Sequence, residues 1–139
     1  MKIHGRCHCG EIHYTAEVNP KNVMVCHCVD CQIFSGAPFR ASVKTESTQV
    51  NMTGNPTEYV KTADSGNRRV QGFCSQCGSN IYTTALDDRS LISLRLGCVQ
   101  ERDQLVPSMQ IWGNSALEWA RPAHAGPCHV LGPDSELEL

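Results

Sequence analysis

Apolar and polar residues alternate along most of this chain, and sustained helical spacing is hard to find. Ile12, Tyr14, Ala16 and Val18 fall on every second position, so 11–18 reads as a strand with one buried face. Asn19 and Pro20 then supply a turn. The same period predicts strands at 23–28, around Phe39, Ala41 and Val43, and around Val50 and Met52. After the break at Thr53, Gly54, Asn55 and Pro56 it predicts further strands at 58–61, 68–73, 80–84, 91–96 and 109–112. Residues 28–35 hold only Val29 and Ile33 as strong strand formers and are expected to form one or two helical turns. Short strands punctuated by Gly, Pro and Asn predict a mainly β, single small domain of short antiparallel sheets. Breakers crowd the chain from His124 onward, so a domain at 1–123 is expected to carry a loosely ordered tail at 124–139.

Composition changes this picture in one respect. The 139 residues suffice for one domain, and 19% charged residues with a net charge of -2 leave no basic excess to follow a phosphate backbone. Nucleic acid is therefore not expected as a partner. No apolar run approaches bilayer length, and the first residues lack the apolar stretch of a signal peptide, so a soluble, cytoplasmic protein is expected. The unusual number is nine cysteines beside only eight aromatic residues. An odd count without an export signal speaks against a disulfide scaffold. A thin aromatic core with many thiols points instead to metal cross-links.

Seven cysteines fall into three clusters: Cys7 and Cys9 as C-x-C, Cys26, Cys28 and Cys31 as C-x-C-x-x-C, and Cys74 and Cys77 as C-x-x-C followed by Gly78. Zinc takes four tetrahedral ligands in closed structural sites and three in sites that keep a position for chemistry. Cys74 and Cys77 on a tight turn form a half-site. On an extended chain, residues two apart share a face, so a C-x-C pair can converge on one ion while His8 and His27 point the other way. Ligand counting then gives Cys7, Cys9, Cys74 and Cys77 on one ion and Cys26, Cys28 and Cys31 on a second, although spacing alone also allows Cys26 or Cys28 to complete the closed site. A cluster of iron and sulfur is a competing use of the same thiols, and a redox pair at Cys74 and Cys77 lacks the βαβ surroundings it needs. Cys98 and Cys128 read as an ordinary core thiol and a tail thiol.

A three-thiolate site acidifies a bound thiol and can present its sulfur to a carbonyl carbon, which allows carbon–sulfur bond chemistry. If both sites are structural, the protein is instead a zinc-stabilised binding module. Arg40, Arg68 and Arg69 are candidates to meet substrate carboxylates, Asp30 to handle a proton or cap a turn, and Trp112 to wall a pocket.

Four strings together resemble one family. Gly5-Arg6-Cys7-His8-Cys9-Gly10 is similar to its opening motif, and Cys26-His27-Cys28-Val29-Asp30-Cys31-Gln32-Ile33-Phe34-Ser35-Gly36-Ala37-Pro38-Phe39 to its central one. Gly72-Phe73-Cys74-Ser75-Gln76-Cys77-Gly78 resembles its zinc knuckle, and Gln110-Ile111-Trp112 a late landmark that in many relatives begins with His. This is the glutathione-dependent formaldehyde-activating enzyme family, which also includes centromere protein V, and the resemblance spans about residues 3–120. It implies a β-tent fold around two zinc ions per chain. A structural zinc is implied at Cys7, Cys9, Cys74 and Cys77, and a catalytic-type zinc at Cys26, Cys28 and Cys31. The implied activity is that of a carbon–sulfur lyase joining glutathione and formaldehyde as S-hydroxymethylglutathione, with glutathione near the second zinc. The segment with Cys128 and His129 has no counterpart in the family pattern.

Overall fold

The computed structural model describes residues 1–63 and 65–139. Among the described residues ten strands form two sheets. A three-stranded antiparallel sheet takes β1 (Lys2–Arg6), β2 (His13–Glu17) and β5 (Val50–Thr53), with β2 in the middle. The larger sheet has seven strands. They are β3 (Val23–Cys26), β4 (Arg40–Glu46), β6 (Thr57–Thr62), β7 (Arg68–Phe73), β8 (Asn80–Ala85), β9 (Leu91–Arg95) and β10 (Met109–Ile111). Its order is β10-β3-β4-β9-β8-β7-β6, antiparallel throughout except for the β10–β3 pair. Among the described residues one α-helix, α1 (Val29–Ser35), follows β3. The expected mainly β domain is thus present, with the strand at 23–28 ending at Cys26 because Cys28 already caps α1.

The core lies between the two sheets. Ile3, Ile12, Tyr14 and Ala16 from the small sheet meet Val23, Val43, Val70, Ile81 and Leu94 from the large one. Cys7 and Cys74 are buried in the same cluster, so the first cysteine group is part of the core. A smaller cluster gathers Cys26, Cys31 and Ile111 at the β10 side.

Strand β1 went unread in the sequence for a physical reason. Its two buried positions are Ile3 and Gly5, and glycine carries no hydrophobic signal. Gly5 is opposite Tyr14, whose ring lies directly over it, and a Cβ there would stand 2.0 Å from Tyr14 Cζ. The large tyrosine fills the volume that a side chain on β1 would otherwise claim.

The breaker-rich segment after His124 is tied to the edge of the large sheet. Gln110 N donates to Pro127 O, His129 N to Gln110 O, Trp112 N to Leu131 O and Glu138 N to Cys128 O. Arg121 Nη1 adds an ion pair to Glu138 at 2.6 Å. Glycine and proline mark turns here, and β10 supplies edge donors and acceptors that the segment satisfies.

Candidate functional site

The first cysteine group forms where two hairpin loops meet. The β1–β2 loop carries Cys7 and Cys9, and the β7–β8 loop carries Cys74 and Cys77. All four sulfurs lie within 4.8 Å of one another, with 3.6 Å between Cys7 and Cys9 and 3.8 Å between Cys9 and Cys74. In the second loop Gly78 N donates to Cys74 O at 2.8 Å and Cys74 N to Ser79 O at 3.0 Å. This turn needs the positive φ of 77° that Gly78 adopts without a Cβ clash. Ser79 Oγ ties the loops together, accepting from His8 N at 3.0 Å and lying 3.3 Å from Cys77 Sγ. That contact is the main cause pulling the Cys77 thiol down to about 5.

The second group is local. Cys26 ends β3, Cys28 is the N-cap of α1 and Cys31 lies in its first turn. Their sulfurs also lie within 4.8 Å of one another. Cys31 N donates to Cys28 Sγ at 3.3 Å, and hydrogen bonds from the Cys26 and Cys31 thiols draw Cys28 down to about 2. Among the described residues no fourth Cys, His or carboxylate joins this group. All nine cysteines are free thiols. Clustered soft thiols of this kind suit a soft or borderline cation, and both groups could hold one.

Convergence does not arise from an extended C-x-C, as the spacing argument supposed. Cys9 lies in a turn beyond β1, and Cys28 lies beyond the end of β3. Neither intervening histidine joins a sulfur group. His8 is exposed, whereas His27 is fully buried with Nε2 2.8 Å from Gln110 Oε1. Gln110 Nε2 donates to Gly126 O at 3.1 Å, which turns its oxygen toward His27. His27 Nε2 therefore carries the proton, and its buried Nδ1 has no hydrogen-bond partner.

Arg40 links the second group to a cleft. It pairs in register with Cys26 and lines a cavity of about 1300 Å³. The wall carries Arg6, Arg40, Arg95 and Arg102 but no carboxylate. Arg95 is only 5% exposed; its Nη2 donates to Gln71 Oε1 at 2.8 Å and also to Thr83 Oγ1. Thr83 Oγ1 donates to Gln71 Oε1 at 3.0 Å and accepts from Arg40 Nη1 at 3.4 Å. Burial first, and then the charge of Arg40, brings Arg95 down to about 9. Burial likewise lowers the half-buried Arg69.

The remaining sequence candidates scatter. Arg68 pairs with Asp87 on the surface and Asp30 pairs with Lys61. Cys28, not Asp30, caps the helix. Trp112 does not line the cleft and sits in the left-handed region at φ 60°. Cys98 does line the cleft, donating to Asn80 O at 3.1 Å. Cys128 bridges to Gln110. Sequence reasoning missed Arg95, Gln71 and Thr83. Their signal is a polar residue within a strand-forming run, as at Arg95, which ends β9 two residues after Ser93 on the same face.

A family model for glutathione-dependent formaldehyde-activating enzyme matches residues 2–115. A crystal structure of a protein from Rhodobacter sphaeroides aligns with a TM-score of 0.56 over 72% of this chain and 88% of that one, at 17% identity, which is a likeness of fold. No curated protein sequence matches the chain.

Proposed function

The chain belongs to the glutathione-dependent formaldehyde-activating enzyme family, and on that premise we propose that it is a zinc-dependent carbon–sulfur lyase acting on an adduct of a small thiol such as glutathione with an aldehyde. Cys7, Cys9, Cys74 and Cys77 hold a structural zinc in this reading, and Cys26, Cys28 and Cys31 hold the zinc that serves the reaction. The observation that supports it is the difference in donor number. Four clustered thiols complete a tetrahedral cation, while three leave one position free.

When bound at the second group, zinc supplies Lewis acidity that makes an incoming thiol a thiolate at neutral pH. The chain's own residues prepare that place. Hydrogen bonds within the group favour deprotonated Cys28 while Cys26 and Cys31 are raised, so a cation that takes all three sulfurs displaces protons from the other two. Arg40, beside Cys26 in the sheet, offsets the negative charge of the sulfurs. The adjoining cleft is large enough for a tripeptide thiol. In the forward direction the thiol adds across the aldehyde carbonyl: sulfur bonds to carbon and the thiol proton ends on oxygen. The reverse cleaves the same bond and returns both reactants. Nine free thiols stay reduced most readily in the cytoplasm, the location this reading expects.

The test is metal analysis followed by titration of cobalt-substituted protein with glutathione. Two ions per chain and a change in the visible thiolate–cobalt bands, abolished by Cys28→Ser, are expected. Two bound ions with a spectrum indifferent to glutathione would make the protein a zinc-stabilised binding module instead.

A further inference from the structure

Three guanidiniums meet on one face of the seven-stranded sheet without a carboxylate partner among the described residues. The register sets Gln71 opposite Thr83, Thr83 opposite Ser93, Arg95 opposite Ser42 and Arg40 opposite Cys26. With the period of two along each strand, Arg69, Gln71, Thr83, Arg95 and Arg40 share the face that leads to Cys26. Arg95 and Arg40 both use the Thr83 hydroxyl as acceptor. Beyond those bonds, Arg95 Nε and Nη1 and Arg40 Nε are buried with no partner. A buried guanidinium with idle donors is costly, and two sharing one hydroxyl repel each other as well. A zinc ion with three thiolates would bring a net charge of about -1, which cannot balance three cations. The cleft that Arg40 and Arg95 line has no carboxylate to supply the rest.

We propose that this end of the cleft is a carboxylate-binding subsite: Arg40 and Arg95 bind the carboxylate of a small-molecule ligand, while Gln71 and Thr83 position Arg95 for it. The inference goes beyond the lyase reading, since it names the anchoring group of the ligand whatever bond is then made or broken. Arg40 is half-buried at the cleft wall and meets the ligand first, with Arg95 behind it. Planar guanidiniums match a planar carboxylate, and one carboxylate group, with a single charge, sheds less hydration than a phosphate dianion on entering so buried a place. Gln71 and Thr83 are positioning residues: both are almost fully buried, and their oxygens fix Nη2 of Arg95 while leaving its other donors unused.

The experiment is calorimetric titration of the intact, metal-loaded protein with succinate, with its neutral analogue succinamide and with inorganic phosphate. Succinate is expected to bind saturably and more tightly than phosphate, and succinamide not at all. Arg95→Met and Arg40→Met should each weaken succinate by about 10- to 100-fold. Arg68→Met, whose partner is Asp87 outside the cleft, should leave the affinity unchanged. Gln71→Glu reads the positioning network separately: an internal carboxylate beside Arg95 should raise the melting temperature yet lose succinate binding, a pairing that a merely structural Gln71 would not produce. Equal binding of succinate and succinamide, tighter binding of phosphate, or undiminished affinity in the Arg40, Arg95 and Gln71 variants would overturn the subsite. These titrations use no glutathione, so they can fail while the cobalt response persists, and the reverse.

Discussion

The two cysteine groups gather sulfur by opposite routes. The first joins loops 65 residues apart in sequence, and two of its members sit in the main core. The second draws its three sulfurs from one turn of chain between β3 and α1 and sits in a minor cluster at the sheet's β10 side. Fastening distant loops removes chain entropy from the unfolded state and so acts on the whole fold. A local group restrains little beyond its own turn. The comparison teaches that the distant group is suited to hold the domain together, and the local one, beside a cationic cleft, is free to serve chemistry.

The largest effect that could break this contrast comes from exchanging one sulfur in each group. Cys74→Ser should cost more than about 4 kcal/mol and blur the unfolding transition, since it removes a buried core member and a cross-link together. Cys28→Ser should cost about 1 to 2 kcal/mol and lower metal content by one ion per chain while leaving a cooperative transition. Denaturant titration with metal analysis compares them, and the reverse ranking would dissolve the assignment of roles.

Gly5→Ala sharpens the contrast from the side of the first group. Its new Cβ would collide with the Tyr14 ring, for an expected loss of about 2 to 3 kcal/mol. Because Cys7 lies two residues on, competition with a chelator should show weaker binding at the four-cysteine group and unaltered binding at the other. Gln110→Leu probes the second side. It strands the buried His27 Nε2–H between Cys26 and Cys28, for about 1 to 2 kcal/mol by thermal denaturation, with the chelator response now confined to the three-cysteine group.

The smallest effect is expected at Glu58, far from either set of sulfurs in role. Its carboxylate accepts from Arg89 at 2.8 Å and from the Tyr82 hydroxyl at 2.7 Å, and the Arg89 bond is the main cause holding it below the usual carboxylate range. A depressed carboxyl contributes stability above its unfolded pKa and loses it as pH falls through the folded value. Glu58→Gln should therefore cost less than about 1 kcal/mol near neutrality, and the two proteins should converge in acid. Urea midpoints at several pH values check this, with the metal content of the variant expected to match that of the parent at each pH.

Most strands were legible as short runs of strand-forming residues bounded by Gly, Pro and Asn, although burial alternates strictly in few of them: β2 buries one face, whereas β8 is buried at its four central positions and β6 at none. At 68–73 the expected span and the observed β7 coincide, and for β4, β6, β8 and β10 the differences are confined to the ends. Strand β1 was not legible, since half of its buried face is Gly5 under an aromatic ring contributed by another strand. The segment 124–139 reads as loose by composition, yet its backbone is paired with β10 and with itself, and composition carries no record of an edge waiting for partners.

What the chain determined locally is the thiol chemistry. The spacing of Cys26, Cys28 and Cys31, and of Cys74 and Cys77 before Gly78, lets a single turn bring sulfurs together wherever that turn is placed. Tertiary structure alone decided that the loops bearing Cys7 and Cys74 meet, and that Arg40, Gln71, Thr83 and Arg95 form one network. Those meetings depend on strand order and register across a mixed seven-stranded sheet. That order is set by how two sheets bury a shared core, a global balance that no short window of sequence contains.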